Sequence, residues 1–287
     1  MKTDCPIIVL GAPRSGTTFL GDVLARHSRL RYFIEPSPVW RRGNEWLSDA
    51  LKPANARPEV VARIRRYFES ACRKDGRQRI LEKTPQNCLR IPFVDAVFPE
   101  AKYVHILRNG YESSLSIRDH WLNKGKGLEG VRIGQRLQEI GGTQYFKYGW
   151  QFAKRCLFSR GGNPVVMWGP LLPGLKDMRK ELSLLEISAY QWKQCTEMAC
   201  MAGRQLGPAR YREVCLKELD RDKVLELLAF LNLEPESGVM DYFDEEFSQS
   251  ATSHRREASE RSELMEIEPI VQPTMEWLES QHPGFAS

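Results

Sequence analysis

Short apolar runs alternate along this chain with longer stretches in which apolar residues recur every three or four positions. The runs Pro6–Leu10, Leu30–Ile34, Arg79–Glu82, Lys102–Leu107 and Ala209–Val214 read as strands. The stretches Thr17–His27, Glu59–Cys72, Asn87–Phe98, Tyr111–Trp121, Gln144–Phe158, Leu182–Gly203, Arg221–Leu231 and Ser262–Glu279 read as helices. Strands interleaved with helices predict a parallel sheet covered on both faces. Lys124–Gly142, rich in glycine and charge, and Gly161–Gly174, with Pro164, Pro170 and Pro173, read as surface loops. There is no internal repeat and no low-complexity linker, so one α/β domain over residues 1–287 is expected.

Composition narrows the class. A hydrophobic share of 41% supports a sizeable core. No run of about 18 apolar residues occurs, so no membrane span is predicted. The first strand begins at residue 6, which leaves no room for a signal peptide and predicts a soluble, cytoplasmic protein. The seven cysteines are scattered, with no C-x-x-C pair, and read as buried thiols rather than metal ligands or disulfides. The five histidines are isolated, so no metal is expected. The net charge of +5 arises from local basic clusters without aromatic interleaving. Solvated helix faces explain these better than nucleic-acid binding.

The chemistry concentrates first in Gly11-Ala12-Pro13-Arg14-Ser15-Gly16-Thr17-Thr18. A glycine loop between a strand and a helix N-terminus points several backbone N–H groups, and the positive end of the helix, at one anion. The two glycines have the nucleotide P-loop spacing, but Thr17 stands where that loop has its lysine. The only cation in the loop is Arg14. A second constellation, Arg108-Asn109-Gly110-Tyr111-Glu112-Ser113-Ser114-Leu115-Ser116, follows the strand Lys102–Leu107. Arg108 sits where a parallel strand ends, at the ligand edge of such a sheet. An arginine fork and the Ser116 hydroxyl at that spacing can grip one phosphate, or Arg108 can serve a structural ion pair.

Two anion sites on one sheet edge call for a ligand with phosphates at both ends. With the block Leu81-Glu82-Lys83-Thr84-Pro85-Gln86-Asn87, the chain resembles the sulfotransferases that use 3′-phosphoadenosine 5′-phosphosulfate (PAPS), in particular the bacterial and Golgi-type members. Gly11–Thr18 resembles that family's 5′-phosphosulfate loop, and Tyr103–Ser116 its 3′-phosphate motif. The resemblance covers most of the chain and thins after residue 120. It implies a P-loop-like three-layer α/β fold, with a central parallel sheet flanked by helices. It implies transfer of a sulfuryl group from PAPS to the hydroxyl of a small-molecule or glycan acceptor, with no metal.

Carried onto this sequence, the resemblance assigns Arg14 to the 5′-phosphate and bridging oxygens. Ser15, Gly16, Thr17 and Thr18 complete the cradle. Arg108 and Ser116 take the 3′-phosphate, and Lys83 faces the transferring group. Glu35, in Phe33-Ile34-Glu35-Pro36, matches the glutamate that some members use as general base; His105 is the runner-up, followed by His120 and His27 at helix ends. Arg255 and Arg256 match a basic loop that closes over the 3′-phosphate in many members. Trp40, Trp46, Trp121 and Trp168 lie in or beside candidate acceptor loops and hint at an apolar or ring-bearing acceptor. Two rival readings remain at this stage. One is a nucleotide-dependent phosphotransferase of the P-loop class; the other is a nucleotide-binding protein without catalysis.

Overall fold

The computed structural model describes residues 4–124, 169–253 and 261–285. Five strands, β1 (Asp4–Leu10), β2 (Leu30–Ile34), β3 (Arg79–Lys83), β4 (Lys102–Leu107) and β5 (Tyr211–Cys215), form one sheet in the order β2-β3-β1-β4-β5. Every pairing is parallel.

Among the described residues the helices are α1 (Thr17–Leu24), α2 (Ser37–Trp40), α3 (Pro58–Lys74), α4 (Ile91–Val97), α5 (Gly110–Lys124), α6 (Leu175–Glu181), α7 (Leu184–Arg204), α8 (Arg221–Leu231), α9 (Ser237–Ser253) and α10 (Arg261–Gln281). Strand alternation sends successive side chains of β1 into two cores. Ile8 and Leu10 join the core beneath α3, α4, α5, α7 and α10, whereas Ile7 and Val9 join the core beneath α1, α8 and α9. Helices therefore cover both faces, in the expected three-layer α/β arrangement.

The connection from β1 runs to one side of the sheet, through α1 to β2, while β4 lies on the other side of β1. The carboxyl ends of β1 and β4 thus flank the point where strand order reverses, where a crevice opens in such sheets. Gly11–Thr18 and Arg108 occupy it.

Several elements differ from the sequence reading for identifiable reasons. The helix expected over Asn87–Phe98 is broken: a 3₁₀ turn spans Pro85–Leu89, Arg90 leaves the helical region at φ −146° and ψ 31°, and α4 starts at Ile91. Pro92 in its first turn has no N–H to continue a preceding helix. The end of α1 tightens, with Arg26 and His27 N–H groups bonding three residues back to Val23 and Leu24. Helices α2, α6 and α9 were not anticipated. The helix expected over Gln144–Phe158, Cys156 and Trp168 lie outside the described residues.

Candidate active site

The loop after β1 turns sharply, with Ser15 N–H bonded to Ala12 O at 3.1 Å. Arg14 and Gly16 both take positive φ, 67° and 89°. Gly16 suits this turn because its backbone is left-handed; a Cβ there would also press on the Leu216 side chain, 2.7 Å from its Cδ1. Gly16 caps α1 without a side-chain acceptor. The leading N–H groups of α1 therefore point into the crevice, an anion-binding geometry.

The second wall comes from the β4–α5 turn. Asn109 Oδ1 accepts from Tyr111 N–H at 3.0 Å and closes the start of α5. A Cβ on Gly110 would lie 2.6 Å from the Trp192 ring, so glycine lets the turn press against the core. Trp192 Nε1 in turn donates to Arg108 O at 3.1 Å. Trp192 is thus a core residue. The Arg108 side chain donates through Nη1 to Arg14 O at 2.8 Å, and through Nε and Nη2 to Glu112 Oε2 at 3.0 and 2.9 Å. Arg14 Nε donates to Ser116 Oγ at 3.2 Å. Arg14, Arg108 and Ser116 form one cluster, and Arg14, expected at the transferring end, reaches the hydroxyl expected at the other phosphate.

The third wall carries an acid and a base. Glu35 follows β2 with φ 52° and continues the ladder by donating its N–H to Lys83 O at 2.8 Å. Lys83 ends β3 on the α1 side of the sheet. Its ammonium donates to Glu35 Oε1 at 2.8 Å and to Thr18 Oγ1 at 3.1 Å. Its side chain is 2% exposed and that of Glu35 is 20% exposed. Lys83 is therefore built into the crevice rather than being a surface lysine before a turn, and Glu35 alone of the pair has substantial access to solvent.

On the opposite face of β3, Glu82 is wholly buried. Its carboxylate accepts from Trp40 Nε1 at 2.8 Å, from Asn87 Nδ2 at 2.8 Å and from the Thr84 hydroxyl. Burial pushes its pKa up to about 7, against the opposing pull of Thr84, Trp40, Arg90 and Lys83. Arg90 Nε donates to Asn87 Oδ1 at 2.8 Å. Glu82 and Asn87 lie in the block that carries Lys83, and no site role is expected of them from the sequence. The signal available was a carboxylate inside an apolar strand, a position that demands partners.

Other candidates fall elsewhere. Trp40 and Trp121 are buried, which removes them from any acceptor surface, whereas Trp46 is 82% exposed. Arg255 and Arg256 lie outside the described residues. His105 is fully buried on β4, with Nδ1 2.6 Å from Tyr211 Oη. Burial holds its pKa down at about 4. Tyr211 Oη also donates to Glu213 Oε1 at 3.0 Å, Arg204 forks both Glu213 oxygens at 2.9 Å, and His282 Nε2 lies 2.7 Å from Oε2. Burial pushes the Glu213 pKa up, but Arg204, His105 and His282 outweigh it and leave it at about 2. His105, Cys200 and Glu213 bring ligand-type atoms within 4.8 Å of one another, yet Glu213 is already committed to Arg204 and His282. This network fastens α7 and the end of α10 to the sheet and has no part in the crevice.

Comparison with known proteins bears on this arrangement directly. Residues 6–145, which contain the glycine loop, Glu35, Lys83, Arg108 and Ser116, match the family model described as "Sulfotransferase family". The match spans just under half of this chain, and over that span the chain is similar to the sulfotransferase family. Among curated proteins, this chain is 28% identical over 138 residues to "Nodulation protein NoeE" of Sinorhizobium fredii, a match covering 39% of this chain and 31% of that protein. An uncharacterized protein of Aquifex aeolicus is 27% identical over 125 residues, covering 39% of this chain and 16% of the other. The chain thus spans under a third of the length of these relatives.

Solved structures share the fold. A sulfotransferase from Alicyclobacillus acidocaldarius superposes with a TM-score of 0.52 at 13% identity, covering 97% of this chain and 96% of that one. The sulfotransferase domain from the curacin biosynthetic pathway gives 0.51 at 14% identity, covering 95% and 99%. Sulfotransferase STF9 from Mycobacterium avium gives 0.52 at 12% identity, covering 96% and 77%. No helix among the described residues is long and apolar enough to cross a membrane.

Proposed function

We propose that this chain transfers the sulfuryl group of PAPS to an acceptor hydroxyl, with Glu35 as general base. One observation carries the reading. A cationic cluster, Arg14 with Arg108 beside Ser116, and an acid–base pair, Glu35 with Lys83, flank the same uncapped helix N-terminus. A donor phosphorylated at both ends needs the first, and a hydroxyl nucleophile needs the second.

In this reading Arg108 and Ser116 hold the 3′-phosphate, and Arg14 with the α1 amides holds the 5′-phosphate. Glu35 takes the proton from the acceptor hydroxyl as its oxygen bonds to sulfur. The S–O bond to the 5′-phosphate breaks, and that oxygen keeps the electron pair, leaving 3′,5′-bisphosphoadenosine (PAP). An ammonium has three N–H donors, and Lys83 directs two at Glu35 and Thr18. The third meets the charge that develops on the transferring group and the leaving oxygen.

The acceptor is a small molecule or a glycan. Trp46 is the exposed aromatic that most readily meets an apolar face or ring. The test is transfer of ³⁵S from PAPS to a panel of phenol, alcohol, sterol and saccharide hydroxyls, with PAP binding measured by calorimetry. Labelled product with tight PAP binding is expected. Absence of PAP binding overturns the reading.

A further inference from the structure

Glu82 is a fully buried carboxyl group that the mechanism above does not use. It lies next to Lys83 in β3, but strand alternation turns the two side chains to opposite faces of the sheet. Its three hydrogen-bond partners belong to the two segments that carry the reacting pair. Trp40 ends α2, the helix that starts two residues after Glu35. Thr84 and Asn87 form the turn directly after Lys83. The segment from Glu35 to Trp40 is therefore pinned to β3 at both ends: by Glu35 N–H on Lys83 O, and by the Trp40 indole on Glu82.

That pinning matters because Glu35 is a non-glycine residue at φ 52°. Such backbone strain persists only where the surroundings over-determine it. A generic acceptor could satisfy Trp40 alone. One carboxylate satisfying Trp40, Thr84 and Asn87 together, braced by Arg90 through Asn87, couples the two segments to each other.

We propose that Glu82 is a positioning residue for sulfuryl transfer: it touches neither donor nor acceptor, and it holds the strained Glu35 segment at reacting distance from the end of β3. The inference rests on the roles given to Glu35 and Lys83. The nucleotide cluster of Arg14, Arg108 and Ser116 shares no hydrogen bond with Glu82, so the consequence is confined to the chemical step.

The test compares Glu82→Gln, Trp40→Phe and Glu35→Gln with the wild-type chain, using ³⁵S-labelled PAPS and the panel acceptor with the fastest turnover. Glu82→Gln keeps an oxygen for Trp40 and Thr84 but loses the charge and turns an amide toward Asn87. Its kcat falls about 10–100-fold, the scale of a misplaced reacting group. Its KM for PAPS and its Kd for PAP stay within about twofold. Trp40→Phe removes the indole N–H while keeping a ring in the core, and lowers kcat about three- to tenfold with KM unchanged. It carries the test if Glu82→Gln does not fold by thermal melting. A wild-type kcat in the folded variant overturns the proposal, as does a parallel loss of kcat and PAP affinity, which signals general damage. In both cases an inactive Glu35→Gln leaves the assignment of the base standing. An active Glu35→Gln overturns the base and this proposal together.

Discussion

Arg14 Nε lies 3.2 Å from Ser116 Oγ, a contact between positions 102 residues apart that joins the glycine loop to the second turn of α5. Arg108 strengthens the join by donating to the Arg14 carbonyl oxygen at 2.8 Å. The glycine loop and the β4–α5 turn are therefore one surface, and the Arg14 side chain lies between them, so the geometry of each is coupled to that of the other.

That coupling still leaves the two ends distinguishable. Arg108→Ala should weaken PAP binding by about 1.5–3 kcal/mol, the range of a charge-assisted hydrogen bond. Adenosine 5′-phosphosulfate, which lacks the 3′-phosphate, should bind the variant nearly as well as it binds the wild-type chain. Calorimetry with both nucleotides decides the matter, and equal losses would sink the assignment of Arg108. Removal of Arg108 also releases Glu112, whose Oε2 it holds at 2.9 and 3.0 Å. An added Glu112→Gln substitution should recover part of the lost PAP affinity by lifting its repulsion of phosphate.

Glu35→Gln should leave PAP affinity intact and cut turnover by about 10²–10⁴, the usual range for a general base. Gln keeps the side-chain length and an oxygen for Lys83, so the ladder bond from residue 35 to Lys83 O is preserved. Near-normal turnover in a folded variant places the base elsewhere. His105, fully buried against Tyr211, is then a poor replacement, and His120 is the one to test.

The sheet, its layers and the three motif-bearing turns were legible because their signals are local. Apolar runs mark the strands, and the glycine loop states its own turn chemistry. The support beneath the site was not legible. Trp40 and Glu82 are 42 residues apart, and nothing near Trp40 distinguishes a core indole from a loop aromatic that meets an acceptor. Helix α9 escaped because its buried Val239, Met240 and Phe243 are interleaved with Asp241, Asp244, Glu245 and Glu246. The break before α4 needed the non-helical backbone of Arg90, which Pro92 hints at without fixing.

Acid should loosen the C-terminal helices before it touches the crevice. His105 is held neutral, with a pKa of about 4, so its contribution is complete above its ordinary 6.5 and is lost as pH falls toward 4. Glu213, at about 2, contributes fully above its ordinary 4.5 and loses that contribution as pH falls toward 2. Glu82 works in the opposite sense. Its pKa is raised to about 7, so its contribution is greatest below 4.5 and declines as pH rises to about 7. Thermal melts across this range should show Glu213→Gln with a lower midpoint at pH 7 and a shallower acid slope than wild type. An unchanged slope below pH 4.5 would remove Glu213 as the acid-sensitive link.

Dependence on a divalent cation separates sulfuryl from phosphoryl transfer. A P-loop phosphotransferase neutralises a highly charged transferring group with Mg²⁺, held by a loop hydroxyl and a strand-terminal aspartate, and with the loop lysine. Here Thr17 stands at the lysine position, and β4 delivers Arg108 where an acid would be needed. The sulfuryl group carries less charge, and Arg14 and Lys83 are fixed cations already built into the crevice walls. Lys83 is held by Thr18, the hydroxyl that follows Thr17, so this part of the loop is committed to an ammonium. Transfer of ³⁵S from PAPS should therefore continue at an undiminished rate in excess EDTA, while ATP binds poorly and donates no phosphate. Strict Mg²⁺ dependence together with ³²P transfer from ATP would reverse the reading, and Arg14 would then be doing the work of the missing loop lysine.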